Sequence, residues 1–191
     1  MGLDNSVRIV IGGDCNKNDR AENDYYGTPP EAVEMLLDLE TFDNNIWECA
    51  CGEGNISKVL EGKGYNVKSS DLIDRGFGTG GVDFLAYDGT WHGDIITNPP
   101  YYLADQFIAK AIDIIQPGHK VCMFLKLQFL EGVKRKQLWA KYPLSRIYVS
   151  SGRLNCYKRG VKPLYKRGAI CFAWYIWEKG YSGETILRLF N

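Results

Sequence analysis

Four consecutive residues, Asn98-Pro99-Pro100-Tyr101, carry the most specific chemistry in this sequence. The two prolines fix the backbone and bring no N–H that needs a partner. The carbonyl oxygen of Pro99 and the side-chain oxygen of Asn98 can then point at one spot. Two acceptors converging there suit an –NH2 group with two hydrogens. Tyr101 adds a flat face on which a planar ring can stack. The amino nitrogen of a nucleobase such as adenine is a poor nucleophile, because its lone pair is delocalised into the ring. Two acceptors gripping its hydrogens draw the nitrogen toward tetrahedral geometry and localise that pair. In-line attack on an activated methyl sulfonium can follow. Neither a covalent intermediate nor a metal is required, since positioning and electrostatics carry the rate.

A second group of residues lies upstream. A short apolar run, residues 45–50, leads into the turn Cys51-Gly52-Glu53-Gly54, and a helical pattern follows. Gly52 and Gly54 allow positive φ angles and close approach of a ligand to the backbone. The helix start beyond them offers free N–H groups. A mononucleotide-like ligand fits at the carboxyl end of such a strand. The next strand ends at Asp71, whose carboxylate can accept hydrogen bonds from both hydroxyls of a ribose. The spacing from Gly54 to Asp71 resembles the ~20 residues of dinucleotide sites. The full dinucleotide fingerprint is absent, because Asn55-Ile56-Ser57 follows Gly54. That disfavours NAD and FAD. Glu48 instead begins the motif with a carboxylate.

The elements that must position these residues follow from periodicity. Residues 1–24 are polar and rich in Asn, Asp and Gly, and read as a flexible arm with one short strand at 7–11. Residues 31–39 have helical spacing behind Pro29 and Pro30, with Val33, Leu36 and Leu37 on one face. Asn55 is expected to cap a helix to about Gly62, with Ile56, Val59 and Leu60 inward. Strands are predicted at 65–70, 94–97, 120–127, 146–149 and 169–177, and helices at 103–115 and 133–141. Strands alternating with helices through residue 150 argue for βαβ units and a parallel sheet. The last long strand follows no helix and is expected to pair antiparallel near an edge. The expectation is one α/β domain over residues 25–191, with a mostly parallel sheet and an antiparallel C-terminal strand.

With these motifs in hand, the sequence resembles the amino-group class of DNA methyltransferases, those forming N6-methyladenine or N4-methylcytosine. The resemblance spans about residues 24–178 and implies a Rossmann-like class I methyltransferase fold using S-adenosylmethionine. Asn98-Pro99-Pro100-Tyr101 matches the catalytic tetrapeptide of that family, and its leading Asn favours adenine over cytosine. Residues 48–54, with Glu48, Cys49, Gly52 and Gly54, look like the cofactor loop, and Asp71 like the ribose-binding acid. Asp83 and Phe84 look like the pair that holds the cofactor's adenine. Tyr25-Tyr26-Gly27-Thr28-Pro29 resembles the amino-terminal cofactor segment, which implies contacts from Tyr26, Thr28 and Pro29. The proline often found after the acid of the cofactor loop is replaced by Cys49-Ala50. Fewer than fifty positions separate Gly54 from Asn98, which is the gamma-type motif order. The likeness extends to small phage and prophage adenine methyltransferases through Phe124-Leu125-Lys126-Leu127, residues 129–132 and Arg135.

The formal net charge is zero, so any affinity for nucleic acid must be local. Residues 153–167 contain Arg153, Lys158, Arg159, Lys162, Lys166 and Arg167 with no acid among them, and Tyr157 and Tyr165 interleave. This basic loop, within 151–168, can hold phosphates and stack on bases. The carboxylates lie mostly in the first half of the chain, as a one-sided nucleic-acid surface needs. DNA is therefore the expected partner, as a duplex with base flipping or as a single strand. With no large recognition domain, a short target or modest specificity is expected.

No apolar run approaches the ~20 residues needed to span a bilayer, and residues 1–14 lack a signal-peptide pattern. A cytoplasmic protein is expected. Of the six cysteines, Cys49, Cys51, Cys122 and Cys171 sit in apolar runs, as reduced cysteines do. Cys49-Ala50-Cys51 lacks the spacing of a zinc knuckle, so no metal is expected. Two rival readings remain open. The same tetrapeptide suits a methyltransferase of RNA adenine or of protein glutamine. A degenerate fold that binds cofactor or DNA without turnover is the other.

Overall fold

The computed structural model describes residues 25–158, 160–161 and 170–190. The expected arm at 1–24 lies outside the described residues, as do Arg159, Lys162, Tyr165, Lys166, Arg167 and the side chain of Lys158.

After the two-residue strand β1 (Tyr26–Gly27), helix α1 (Pro30–Leu39) begins with a proline in its first turn, where the missing N–H costs nothing. Two βαβ units follow. The first is β2 (Asn45–Glu48), α2 (Asn55–Gly62) and β3 (Asn66–Ser69). The second is β4 (Asp94–Thr97), α3 (Ala104–Ile114) and β5 (Lys120–Lys126). The chain continues through α4 (Lys136–Lys141), β6 (Arg146–Ser150), β7 (Tyr157–Lys158), β8 (Phe172–Glu178) and β9 (Ile186–Phe190).

Among the described residues the main sheet has seven strands, ordered β3-β2-β4-β5-β8-β6-β9. β8 runs antiparallel to both β5 and β6, and the other strands share one direction. Side chains alternate between the faces with the period of a strand. Val121, Met123 and Leu125 of β5 join Ala173, Tyr175 and Trp177 of β8 under α3. Cys122 and Phe124 join Phe172, Trp174 and Ile176 on the other face, under α1 and α2. A sheet covered on both faces needs such unbroken apolar strands.

Several sequence expectations need correction. β8 is an interior strand rather than a near-edge one: residues Phe172 to Trp177 are all buried, so it has apolar partners on both faces. β9 was not anticipated. It forms the true edge beside β6, and Ile186, Leu187 and Leu189 remain exposed there. Gly54, in a left-handed conformation at φ 78°, occupies the cap of α2, and Asn55 is its first helical residue. The region 133–141 is helical only from Lys136, after a 3₁₀ turn at Val133–Arg135. Cys171 is exposed ahead of β8, whereas Cys49, Cys51 and Cys122 are buried.

At the amino end of the strands, the buried Asp94 carboxylate accepts backbone N–H bonds from Asp43 and Lys120, each at 2.7 Å. That anchor ties the starts of β2, β4 and β5 together. The chemistry-bearing residues cluster at the opposite end of the sheet.

Candidate active site

Glu48, Asp71 and Asn98 stand at the carboxyl ends of the adjacent strands β2, β3 and β4. They line one cleft of about 850 Å³, counting its open mouth. Parallel strands bring their carboxyl ends to one rim, which is where ligands bind in open α/β sheets.

Glu48 is buried. One carboxylate oxygen accepts from the backbone N–H of Ser57 at 2.8 Å and from the Ser57 hydroxyl at shorter range. The carboxylate thus serves the third residue of α2, work that an Asn55 cap was expected to do. Burial pushes the acid up to about 8, against the opposing pull of the Ser57 donors. Burial also raises the thiols of Cys49 and Cys51, the latter to about 12, so both stay protonated near neutrality. Among the described residues no group of His, Cys, Asp and Glu is arranged to hold a metal ion, and no helix is long and apolar enough to cross a membrane.

Asp71 is heavily engaged. One oxygen accepts from the N–H of Gly52 at 2.8 Å. The other accepts from the N–H of Ile73 at 2.8 Å and from the guanidinium of Arg75 at 3.1 Å. The Gly52 N–H is therefore spent inside the protein. Both glycines are required by close packing as well as by positive φ. A Cβ on Gly52 (φ 55°) would meet the Tyr25 ring at 2.3 Å, and one on Gly54 (φ 78°) would meet Phe77 at 2.4 Å. The Arg75 guanidinium lies 4.5 Å from the centre of the Tyr25 ring.

The side-chain nitrogen of Asn98 donates to the backbone oxygen of Tyr26 and to the hydroxyl of Thr28. Those two acceptors settle which way the amide points. β1 itself pairs antiparallel with β7, Tyr26 opposite Lys158 and Gly27 opposite Tyr157. The start of the basic segment is thereby joined to the residues that hold Asn98. Tyr101 is less free than the sequence suggests. Its ring stacks on Tyr26 with centroids 5.9 Å apart, and the Lys126 ammonium sits 4.8 Å above it. The next residue, Tyr102, is 64% exposed and lines the cleft.

Asp83 and Phe84 form another part of the wall. Asp83 caps a 3₁₀ turn by accepting from the N–H of Leu85 at 2.9 Å. Phe84 packs edge-on against Trp47 at 5.2 Å and at a tilt of 33° against Phe107 at 5.0 Å.

The cleft thus gathers Tyr26, Thr28, Glu48, Cys49, Asp71, Asp83, Phe84, Asn98 and Pro100 of the expected site. Pro29, Gly52, Gly54, Pro99 and Tyr101 support it without lining it. Arg153 is exposed, but Tyr157 is buried and presents no free ring. Sequence reasoning placed Tyr25 in the cofactor segment without giving it a contact, and missed Ser57, Arg75, Phe77 and Tyr102. The dense glycines at 76, 78, 80 and 81 signal a tightly folded loop after Asp71, but nothing local reveals what its side chains reach.

No known sequence family and no curated protein matches this chain by sequence. Solved structures do match in three dimensions. A protein of Listeria monocytogenes, assigned to the class I S-adenosylmethionine-dependent methyltransferases, aligns with a TM-score of 0.58 at 17% identity over 83% of this chain. The chain spans 62% of that protein. A Pyrococcus horikoshii protein assigned as an RNA methyltransferase aligns with a TM-score of 0.58 at 14% identity, over 93% of this chain and 99% of its own length. The type IIG restriction endonuclease BpuSI aligns with a TM-score of 0.53 at 13% identity, over 81% of this chain and 24% of its own. The fold is the Rossmann-like fold of class I S-adenosylmethionine-dependent methyltransferases.

Proposed function

We propose that this chain transfers a methyl group from S-adenosylmethionine to the N6 amino group of adenine in DNA. The observation that carries this reading is that Asn98 and Pro100, from the Asn98-Pro99-Pro100-Tyr101 loop at the end of β4, line the same cleft as Glu48, Cys51 and Asp71.

The cleft suits the cofactor. Polar groups converge there on a largely apolar wall, as in small-molecule sites. In this reading Asp71 accepts from the ribose, and Asp83 and Phe84 hold the adenine ring. Tyr26, Thr28 and Pro29, with Glu48, Cys49, Gly52 and Gly54, surround the amino-acid end. Bound there, S-adenosylmethionine supplies an activated methyl group.

The chain's own work is to grip the amine. Asn98 is oriented by Tyr26 and Thr28, so its amide oxygen is left to accept one amine hydrogen. The carbonyl of Pro99 accepts the other. Both acceptors stabilise the positive charge that grows on the nitrogen as it attacks. Tyr101 faces the base once Lys126 moves aside. The basic residues Arg153, Lys158, Arg159, Lys162, Lys166 and Arg167 hold phosphates, with Tyr157 and Tyr165 beside them. The target adenine reaches the loop flipped out of a duplex or from a single strand. This is the work of a cytoplasmic DNA-modifying enzyme.

RNA adenine is the second reading, favoured by a neighbour assigned as an RNA methyltransferase that matches almost end to end. The restriction endonuclease among the neighbours favours DNA. Incubation with tritiated S-adenosylmethionine and DNA, RNA or protein, followed by nucleoside and amino-acid analysis, separates them. Label in N6-methyladenine from DNA is expected. Label only in RNA, in methylglutamine or in N4-methylcytosine overturns the assignment.

A further inference from the structure

The cleft that would take S-adenosylmethionine is lined by the acids Glu48, Asp71 and Asp83, of which burial holds Glu48 protonated near neutrality. The ligand is itself part anion: its amino-acid end carries a carboxylate beside an ammonium. Three acids suit the ammonium, the sulfonium and the ribose hydroxyls. Asp71 and Asp83 repel the carboxylate, and that group must find a cation or stay in water.

Among the described residues that line the cleft, Arg75 alone has a cationic side chain. Its side chain is only 16% exposed, and its guanidinium is held in place from two sides. It makes a single ion-pair contact with Asp71 at 3.1 Å and lies 4.5 Å from the centre of the Tyr25 ring. Tyr25 is itself fixed, since its hydroxyl accepts from the N–H of Glu53 at 3.2 Å. The ring also covers Gly52. Arg75 therefore spans the space between the expected ribose-binding acid and the glycine turn. A planar guanidinium carries five N–H donors. One of them is used on Asp71, which leaves donors for a second carboxylate.

Resting on the cofactor reading above, we propose that Arg75 is the residue that binds the carboxylate of S-adenosylmethionine. Asp71 and Tyr25 hold the guanidinium ready, so that little freedom is lost when the ligand arrives. The loop after β3 then reads two parts of the ligand, its acid taking the ribose and its arginine the amino acid.

The test is a cycle of ligands and variants by calorimetry. S-adenosylmethionine, decarboxylated S-adenosylmethionine and methylthioadenosine are titrated into the wild type, Arg75→Gln and Arg75→Lys. Methylthioadenosine keeps the ribose and adenine but lacks the amino acid. A charge-assisted hydrogen bond predicts that Arg75→Gln weakens S-adenosylmethionine about tenfold or more. Methylthioadenosine and the decarboxylated ligand should stay within about twofold. Arg75→Lys, with a point charge and no fork, should fall between. The wild type should prefer S-adenosylmethionine to its decarboxylated form by a similar factor, a measurement that needs no variant to fold. Equal wild-type affinity for those two ligands overturns the proposal, as does an Arg75→Gln variant that shifts all three ligands equally. In both cases the cofactor reading survives. A wild type that binds none of the three overturns the cofactor reading and this proposal with it.

Discussion

The side-chain nitrogen of Asn98 lies 2.8 Å from the backbone oxygen of Tyr26 and 3.0 Å from the hydroxyl of Thr28. Residues seventy positions apart thereby set the direction of one amide. With its donors committed to Tyr26 and Thr28, Asn98 can present only its acceptor to a substrate. Asn98→Ala should lower turnover about 10²–10³-fold or more, the scale seen when one charge-stabilising group is removed. Cofactor affinity should stay within a few-fold. Thr28→Val should cost less, about tenfold in kcat, because Tyr26 still holds the amide, and Thr28→Ser should restore it. Single-turnover kinetics with a fixed DNA substrate checks this. Wild-type turnover in Asn98→Ala overturns the role.

Glu48 makes two opposite pH trends. Burial raises it from an ordinary 4.5 to about 8, so the folded state holds this proton more tightly than the unfolded chain. The stability it contributes is full below pH 4.5 and is lost as pH rises through about 8. A cationic ligand favours the carboxylate, so affinity for S-adenosylmethionine should rise across that window. Glu48→Gln should flatten both trends. Thermal melts and calorimetric titrations from about pH 6 to about pH 9 test it. An unchanged pH dependence of binding in the variant assigns the proton to another group.

Gly54 and Phe77 should behave as a coupled pair. Gly54→Ala puts a Cβ at φ 78° and at 2.4 Å from the Phe77 ring. The backbone term alone costs about 1–2 kcal/mol. Removing the ring in Gly54→Ala/Phe77→Ala should recover the steric part, leaving the double variant less destabilised than the sum of the singles. Denaturant melts of the four proteins give the coupling. Strict additivity shows that the ring moves aside freely.

Lys126 sits over Tyr101 at the mouth of the proposed base site. If its charge meets a phosphate when nucleic acid binds, Lys126→Ala should weaken binding and reduce the slope of log K against log salt by about one. Affinity for S-adenosylmethionine should not change. A fluorescence anisotropy titration at several salt concentrations measures both slopes, and an unaltered slope removes Lys126 from the phosphate-contacting set.

Local pattern made much of this protein readable. Residues at helical spacing placed α1, α2 and α3, and unbroken apolar runs placed β4, β5 and β8, because burial of a face or a whole strand leaves its mark on consecutive residues. The Asn98 to Tyr101 motif was legible for a similar reason: its residues are adjacent. β9 was not, because an exposed edge strand has no buried face to enforce alternation.

Only the tertiary structure could decide what binds at a distance. Glu48 reads in sequence as a ligand-facing acid, but folded it also receives Ser57. Arg75 reads as one more loop charge, but folded it lies between Asp71 and Tyr25. The sequence determined most of the elements and the Asn98 to Tyr101 motif, since both depend on neighbours along the chain. Folding decided the amide direction of Asn98, the buried proton of Glu48 and the reach of Arg75. Each of these depends on partners brought near by the packing of separate strands, and no spacing along the chain encodes that distance.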